Sequence, residues 1–400
     1  HGDRPMMMDR LAGKAVAGAL LMTSGGAFAQ TRMGADVSAN VGVASNPFGS
    51  EGTGTASATV SGTVAPSLTS TTPKGTLSLG GQVTHTEFSQ NYGATTDYLV
   101  NAGAQQRLST LTSLTAAAGF TSQVRNGMYP IILPGYLPGT NPSAPILVDP
   151  SASATFAERT NVLSGNLGLS TSLSPRDTVS VNARGAKVSF PNGSTFSNGF
   201  HSYGAGVSYM RLVSTNTSVG LSFNAGRDIY DGGLTKSTQY SPSAVLDTKL
   251  SPRLSLNASA GVTFIKTDLP VGSINQSAFS GGIGLCYKGN RANYCLNGTR
   301  GVQASAFTGS STVTSSGASY SYAPTPRSNF NANVAYSRAG ALQGVQAIDF
   351  ASAGVSYDRQ VLRRLSFVVT AAYNDTYDSF VPRPANFFGS VGLRYRLGDI

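Results

Sequence analysis

Residues Leu254–Phe264 read LSLNASAGVTF. Leu254, Leu256, Ala258, Ala260, Val262 and Phe264 fall on one side of a two-residue period, and Ser255, Asn257, Ser259, Gly261 and Thr263 on the other. Successive side chains of an extended chain point to opposite faces, so this is a strand with one apolar and one small, polar face. The pattern recurs along the chain. VGLSFNAG sets Val219, Leu221, Phe223 and Ala225 against Gly220, Ser222, Asn224 and Gly226, and FNANVAY sets Phe330, Ala332, Val334 and Tyr336 against Asn331, Asn333 and Ala335. LSFVVTAAYN (Leu365–Asn374) and FGSVGLRYRL (Phe388–Leu397) do the same.

A water-soluble sandwich alternates too, so composition has to decide. Only 12% of residues are charged and 47 of 400 are glycine, while the polar faces carry Asn, Ser and Thr. No helical interval breaks the series. Apolar outside and small-polar inside at period two is the signature of a transmembrane antiparallel β-barrel. In lipid every backbone group needs an internal partner, and a closed barrel leaves no edge. The predicted class is therefore all-β, a single barrel over residues 30–400.

Connections sort into short ones (LSPRD at Leu173–Asp177, VSTN at Val213–Asn216, LSPRL at Leu250–Leu254, APTPRS at Ala323–Ser328, VLRR at Val361–Arg364) and longer ones rich in Gly, Pro and Asp. The longer class includes SNPFGSEG, SQNYGATT, FPNGSTFSNG, RDIYDGGLTK, DLPVGSIN and SFVPRPAN. Alternating short and long connections match periplasmic turns and extracellular loops. Counting between them gives about 18 strands, with 16 as the alternative, from near Ala35 to near Leu397, and both termini periplasmic. AKVSF (Ala186–Phe190) and AIDFASAG (Ala347–Gly354) break phase and read as bulges. Tyr209, Tyr287, Tyr294, Tyr357 and Tyr395 are expected in one aromatic girdle, and Tyr98, Tyr203, Phe264, Phe279, Tyr373 and Phe387 in the other.

Residues 1–29 stand apart. Met6, Met7 and Met8 precede Arg10 and Lys14, then the apolar run AVAGALLM, then an A-x-A ending at Ala29. This reads as a secretory signal, with HGDRP as upstream sequence and cleavage before Gln30. The implied location is the outer membrane of a Gram-negative bacterium after Sec export, among outer-membrane lipid and lipopolysaccharide.

Two cysteines bracket CYKGNRANYC (Cys286–Cys295). Gly289-Asn290 is turn chemistry, and reversal over Gly289–Ala292 sets Lys288 opposite Asn293, Tyr287 opposite Tyr294 and Cys286 opposite Cys295. Directly opposed residues on one face are close enough for a disulfide, and an oxidising compartment favours it. Two free thiols facing the lumen are the alternative.

Little else suggests chemistry. His85 and His201 have no neighbourhood that pairs them with a nucleophile and an acid, and no zinc-protease, phosphate-loop or dinucleotide motif is present. The expectation is a non-enzyme with no cofactor and no metal. The formal net charge is +10. Basic residues are not interleaved with aromatics, so a nucleic-acid partner is not expected. Arg107, Arg394 and Arg396 lie on polar faces by phase and would line a pore, giving the lumen a positive field that favours anions. One long segment, Asn126–Phe156, carries six prolines and Tyr129, Ile131, Ile132, Leu133, Tyr136 and a single acid, Asp149. So apolar a loop is expected to fold into the lumen as a constriction, pack on the rim or dock a partner.

ADVSANVGVASNPFG, LSPRDTVSV and LSPRLSLNASAGVTF resemble a family of outer-membrane β-barrel porins found beside exopolysaccharide synthesis genes in proteobacteria. The resemblance implies an outer-membrane channel that exports exopolysaccharide or passes hydrophilic solutes, with polysaccharide or export machinery as partners. A general anion-leaning diffusion porin is one alternative. A structural or adhesion barrel plugged by Asn126–Phe156 is the other.

Overall fold

The computed structural model describes residues 30–48, 55–90, 92–124, 159–191, 199–232, 235–270, 272–305, 309–341, 347–377 and 384–398. The signal segment 1–29 and the loop 126–156, with Tyr129, Ile131, Ile132, Leu133, Tyr136 and Asp149, lie outside them. Eighteen strands and no helix make up the described elements. They begin with β1 (Gln30–Ala44), β2 (Ser57–Thr72), β3 (Gly75–Phe88), β4 (Ala94–Arg107), β5 (Thr112–Val124) and β6 (Arg159–Ser172). Next come β7 (Asp177–Ser189), β8 (Phe200–Ser214), β9 (Thr217–Tyr230), β10 (Lys236–Ser251), β11 (Leu254–Leu269) and β12 (Gly272–Lys288). The series ends with β13 (Ala292–Ser305), β14 (Gly309–Thr325), β15 (Ser328–Ala341), β16 (Ile348–Leu362), β17 (Leu365–Tyr377) and β18 (Asn386–Gly398).

Every strand pairs antiparallel with its chain neighbours, and β18 returns to β1 from Gly34↔Gly398 to Ala44↔Phe388. The barrel is closed. Both β1 and β18 have their outermost residues at the end where short turns join the strands, here the turn end; the opposite end is the loop end.

The turns form for a local reason. A Ser or Thr at the close of a strand accepts hydrogen bonds from the next backbone N–H groups, which mimics a backbone turn. Ser109 does so for Leu111 and Thr112, Ser174 for Arg176 and Asp177, and Ser251 for Arg253 and Leu254. Thr72 takes the N–H of Gly75, and Thr325 that of Arg327. The LSPR sequences are turn-formers because of this serine.

Two phase expectations are corrected. The β6–β7 ladder runs unbroken from Asn161↔Ser189 to Ser172↔Thr178, and β16 keeps continuous register with both neighbours over Asp349–Asp358. Neither AKVSF nor AIDFASAG carries a bulge. Their phase breaks because Lys187 and Asp349 take outward positions near the loop end, where the strand leaves the apolar band. Register shifts occur instead beside turns, at Leu212/Ser214, Lys249/Ser251, Tyr322/Thr325 and Gln360/Leu362. Two strand prolines leave gaps of their own. The β2–β3 ladder skips between Val64↔Val83 and Ser67↔Gly80 around Pro66, and β10–β11 skips between Tyr240↔Phe264 and Ser243↔Gly261 around Pro242. Proline lacks the N–H that a ladder needs.

The division into short turns and long loops also fails at two places. β11 and β12 are joined at the loop end by residues 270–271 alone, so DLPVGSIN is a tight connection. Residues 306–308 join β13 to β14.

Candidate functional site

The two faces of the wall are chemically distinct. Outward positions hold Val41, Val43, Val60, Leu163, Leu221, Phe279, Ile283 and Leu393, all at least half exposed. So large an apolar surface belongs against another apolar phase. Aromatics mark its two borders: Tyr287 stacks on Tyr294 near the turn end, with centroids 4.8 Å apart, and Tyr373 meets Phe387 at 5.0 Å near the loop end.

The inward face is built from hydroxyls. Thr63 meets Thr84 at 3.1 Å, Ser222 meets Ser243 at 2.6 Å, Ser241 meets Thr263 at 2.8 Å, and Thr299 meets Ser315 at 2.7 Å. Each rung joins neighbouring strands, so the polar lining is tied together around the wall. The cystine lies on this face. Cys286 and Cys295 are register partners and are bonded, with their Cα atoms 4.1 Å apart. Lys288↔Asn293 and Tyr287↔Tyr294 flank them, as the turn at Gly289–Ala292 requires.

Arg394 and Arg396 share the inward face of β18, opposite Ser38 and Asp36. Neither guanidinium stands alone. Arg394 is bonded to the carboxylate of Asp358, and Arg396 Nε donates to Asp36 at 3.2 Å. Arg107 is the exposed last residue of β4 and has the inward phase of Asn101 and Gln105. Asp36 and Asp358 went unnoticed in the sequence, although both sit in the polar phase of their strands and could have been found that way.

Two aromatic groups line the loop-end mouth, and the phase pattern had assigned no aromatics there. Phe48, Phe88 and Tyr92 pack together, with centroids 5.1–5.9 Å apart, beside Ala44, Ala372 and Phe388. On the far side Phe200 lies 5.7 Å from Tyr230, with Val188, Phe190 and Ala304 against them. Phe388, Phe200 and Tyr230 each interrupt a run of polar inward positions, and that interruption is the signal.

The last contact matters because Ala304 belongs to β13, four strands from β9. The β12–β13 ladder runs only from Lys288↔Asn293 to Gly281↔Arg300. Beyond it, Gly272–Ser280 are laddered to β11 alone and Gly301–Ser305 to β14 alone. Ser310 Oγ donates to Ser237 Oγ of β10 at 2.6 Å, and that contact is buried. Ala304 has the phase of Tyr294 and Leu296, which face outward lower on β13. At the loop end the same face packs on the inner wall. The loop-end arms of β13 and β14 are thus tucked inside the barrel against β8, β9 and β10. Ser237, which Ser310 meets, is 0% exposed, and its register partner Asp228 is 1% exposed. One carboxylate oxygen of Asp228 has no hydrogen-bond partner among the described residues, and Gln239 Nε2 lies 3.4 Å from the other.

No family model matches the chain, and no curated protein matches it. Solved structures do. Pseudomonas aeruginosa OpdQ is 10% identical, with 92% of this chain and 98% of that one covered at a TM-score of 0.44. Pseudomonas aeruginosa OccK9 (OpdG) is 11% identical over 92% and 99%, at 0.46, and Acinetobacter baumannii OccAB4 11% over 92% and 98%, at 0.44. The architecture of this chain rests on its own ladders. It is a closed, eighteen-stranded antiparallel barrel.

Proposed function

We propose that the chain is an outer-membrane channel for hydrophilic solutes. The observation that carries this is the pairing of an apolar, aromatic-bordered outer face with a hydroxyl-lined inner face in a closed wall of this size. Barrels of 16–18 strands leave an aqueous interior. A transport role, not a catalytic one, follows from that lining.

The finer reading is passage of an uncharged or weakly charged sugar polymer, such as the exopolysaccharide that the family resemblance implies. Two features support it. Serine and threonine rungs can exchange hydrogen bonds with successive sugar hydroxyls at little net cost. The inward arginines at the turn end are held by Asp36 and Asp358, which reduces the field an anion-selective pore would need. Arg394, Arg396 and Arg107 are accordingly proposed to line the turn-end part of the path without setting a strong preference for anions.

The test is permeation. Liposomes containing the protein should swell in neutral oligosaccharides as readily as in charged sugars of equal size. Failure to admit any hydrophilic solute would end the channel reading. Rapid passage of small anions with exclusion of oligosaccharides would replace the polymer reading with a small-anion porin.

A further inference from the structure

We propose that the turn-end rim is a docking ring for a folded protein with an acidic face. The inference goes beyond the channel reading and takes from it only that the turn end opens into the periplasm. Eight turns join the strands at that end, over residues 73–74, 108–111, 173–176, 215–216, 252–253, 289–291, 326–327 and 363–364. In six of the eight the last residue is a base, namely Lys74, Arg176, Arg253, Arg291, Arg327 or Arg364, and none of the eight holds Asp or Glu. A rim that was merely solvated would mix both signs.

These six residues occupy equivalent places. The carbonyl of each accepts a backbone N–H from the neighbouring strand: Arg107 donates to Lys74 at 2.6 Å, Lys288 to Arg253 at 2.8 Å and Arg396 to Arg364 at 2.9 Å. Leu212, Ala323 and Gln360 do the same for Arg176, Arg291 and Arg327. Each of these ladders therefore runs one pair past its strand, and side-chain alternation runs with it. Leu254 and Ala292 share the outward phase of their neighbours Tyr287 and Tyr294, so the cation before each takes the inward phase. The six cations, all exposed, thus ring the turn-end mouth at one level of the wall.

The ring costs stability. Lys74 with Arg107, Arg253 with Lys288 and Arg364 with Arg396 set like charges across from each other, which is unfavourable until an anion answers them. Arg396 has Asp36, but no ion pair joins any of the six to a carboxylate among the described residues. A mouth with low-dielectric walls concentrates such a field.

Three kinds of anion could answer it, and the geometry favours one. Lipid headgroups meet the outward phase, which at this end carries exposed Tyr209, Tyr294, Tyr320 and Tyr395. A permeating polyanion needs cations along its path, yet behind the rim the wall is hydroxyl-lined and Arg394 is held by Asp358. The remaining kind is a partner that stays at the rim. Eighteen strands at the usual spacing and tilt give a rim roughly 110 Å around and 35 Å across. An extended chain touches one arc of such a circle, whereas a small folded domain is about as wide as the whole.

Two variants of the full-length protein test this. In one, Arg176, Arg253, Arg291 and Arg327 become Gln; in the other they become Lys, which keeps the charge. The backbone bonds above use carbonyls alone, so both should fold, as a heat-modifiable band on unheated gels reports. Two probes carry equal numbers of glutamates: a folded helical bundle about 35 Å across with its glutamates on one end, and linear polyglutamate. In phosphatidylcholine nanodiscs the native protein should bind the bundle at least tenfold more tightly than the linear chain. Binding should weaken with salt, fall at least tenfold in the Gln variant and persist in the Lys variant. In intact cells a photo-reactive benzoylphenylalanine replacing Asn290 should cross-link to a protein that mass spectrometry identifies as having an acidic face. That adduct should be lost with the Gln variant and kept with the Lys variant.

Equal affinity for the two probes would overturn the proposal in favour of polymer capture. Binding only to vesicles containing phosphatidylglycerol would assign the ring to lipid. A protein adduct undiminished in the Gln variant, or no binding of either probe at physiological salt, would leave a solvated rim. Binding is read without current, so the two readings fail separately. A protein that binds the bundle and does not conduct loses the channel reading, and one that conducts and binds neither probe loses the docking ring.

Discussion

Two seams of this barrel make a useful contrast. β1 and β18 are the first and last of the described strands, yet their ladder runs over eleven residue pairs and reaches the loop end. There Ser45 and Phe387 exchange hydrogen bonds, and Asn46 N–H donates to Asn386 Oδ1 at 3.0 Å. β12 and β13 are joined by a tight turn and a disulfide, and their ladder stops after eight pairs. Nearness in the chain does not decide how far two strands zip. What decides is whether a competing surface exists for the upper part of the strand, and Phe200 and Tyr230 supply one for β13.

The contrast can be broken most severely at the closing seam. A Cβ at Gly392 would meet the carbonyl oxygen of Ala39 at 2.4 Å and Asn40 Oδ1 at 2.0 Å. Backbone cannot yield there, so Gly392→Leu should destabilise closure by about 3 kcal/mol or more. Loss of the compact, heat-modifiable band on unheated gels would report it, and normal mobility would show that the seam tolerates strain.

Next in size is the staple. Replacing Cys286 and Cys295 by serine removes a cross-link that closes a loop of about ten residues, worth about 2–3 kcal/mol. The midpoint of urea unfolding should fall while assembly persists. No change in the midpoint would mean that the ladder alone holds this hairpin.

Tyr287→Ala tests the outer face of the same hairpin. Its ring lies 13° from parallel with Tyr294. Losing the stack should cost about 0.5–1.5 kcal/mol beyond the area exposed. A double-mutant cycle with Tyr294→Ala measures that coupling, and additive single effects would show the rings are neighbours only.

The smallest stability effect is expected in the lining charges. Asp36→Asn leaves Arg396 without its carboxylate; both side chains are partly exposed, so stability should change by about 1 kcal/mol or less. Selectivity is the sharper readout. The reversal potential in a salt gradient should move toward anions, because a positive charge is uncovered. An unmoved potential would place this pair away from the ion path.

How much of this was legible beforehand depended on the range of the interaction. LSLNASAGVTF alone states its two faces, since side-chain alternation is a property of the extended backbone. Ser174 and Ser251 state their turns for an equally local reason, and the Cys286–Cys295 pairing follows once Gly289-Asn290 is taken as the reversal. Strand number came from repeating these local readings. The carboxylates facing Arg394 and Arg396 were harder, because Asp358 and Asp36 come from β16 and β1, and only closure of the barrel brings β1 to β18.

The tucked arms lay beyond any pattern. Gly301–Ser305 carry the same two-residue period whether they zip to β12 or lie on β8 and β9, so their periodicity is silent about the choice. By itself the sequence determined the barrel, its two faces, its turns and its cystine, because backbone geometry and near neighbours fix these. The place of the β13–β14 arms, the ion pairs of the lining and the length of each seam were decided by tertiary structure. There, surfaces remote in the chain compete for the same backbone, and the winner depends on what the closed wall puts within reach.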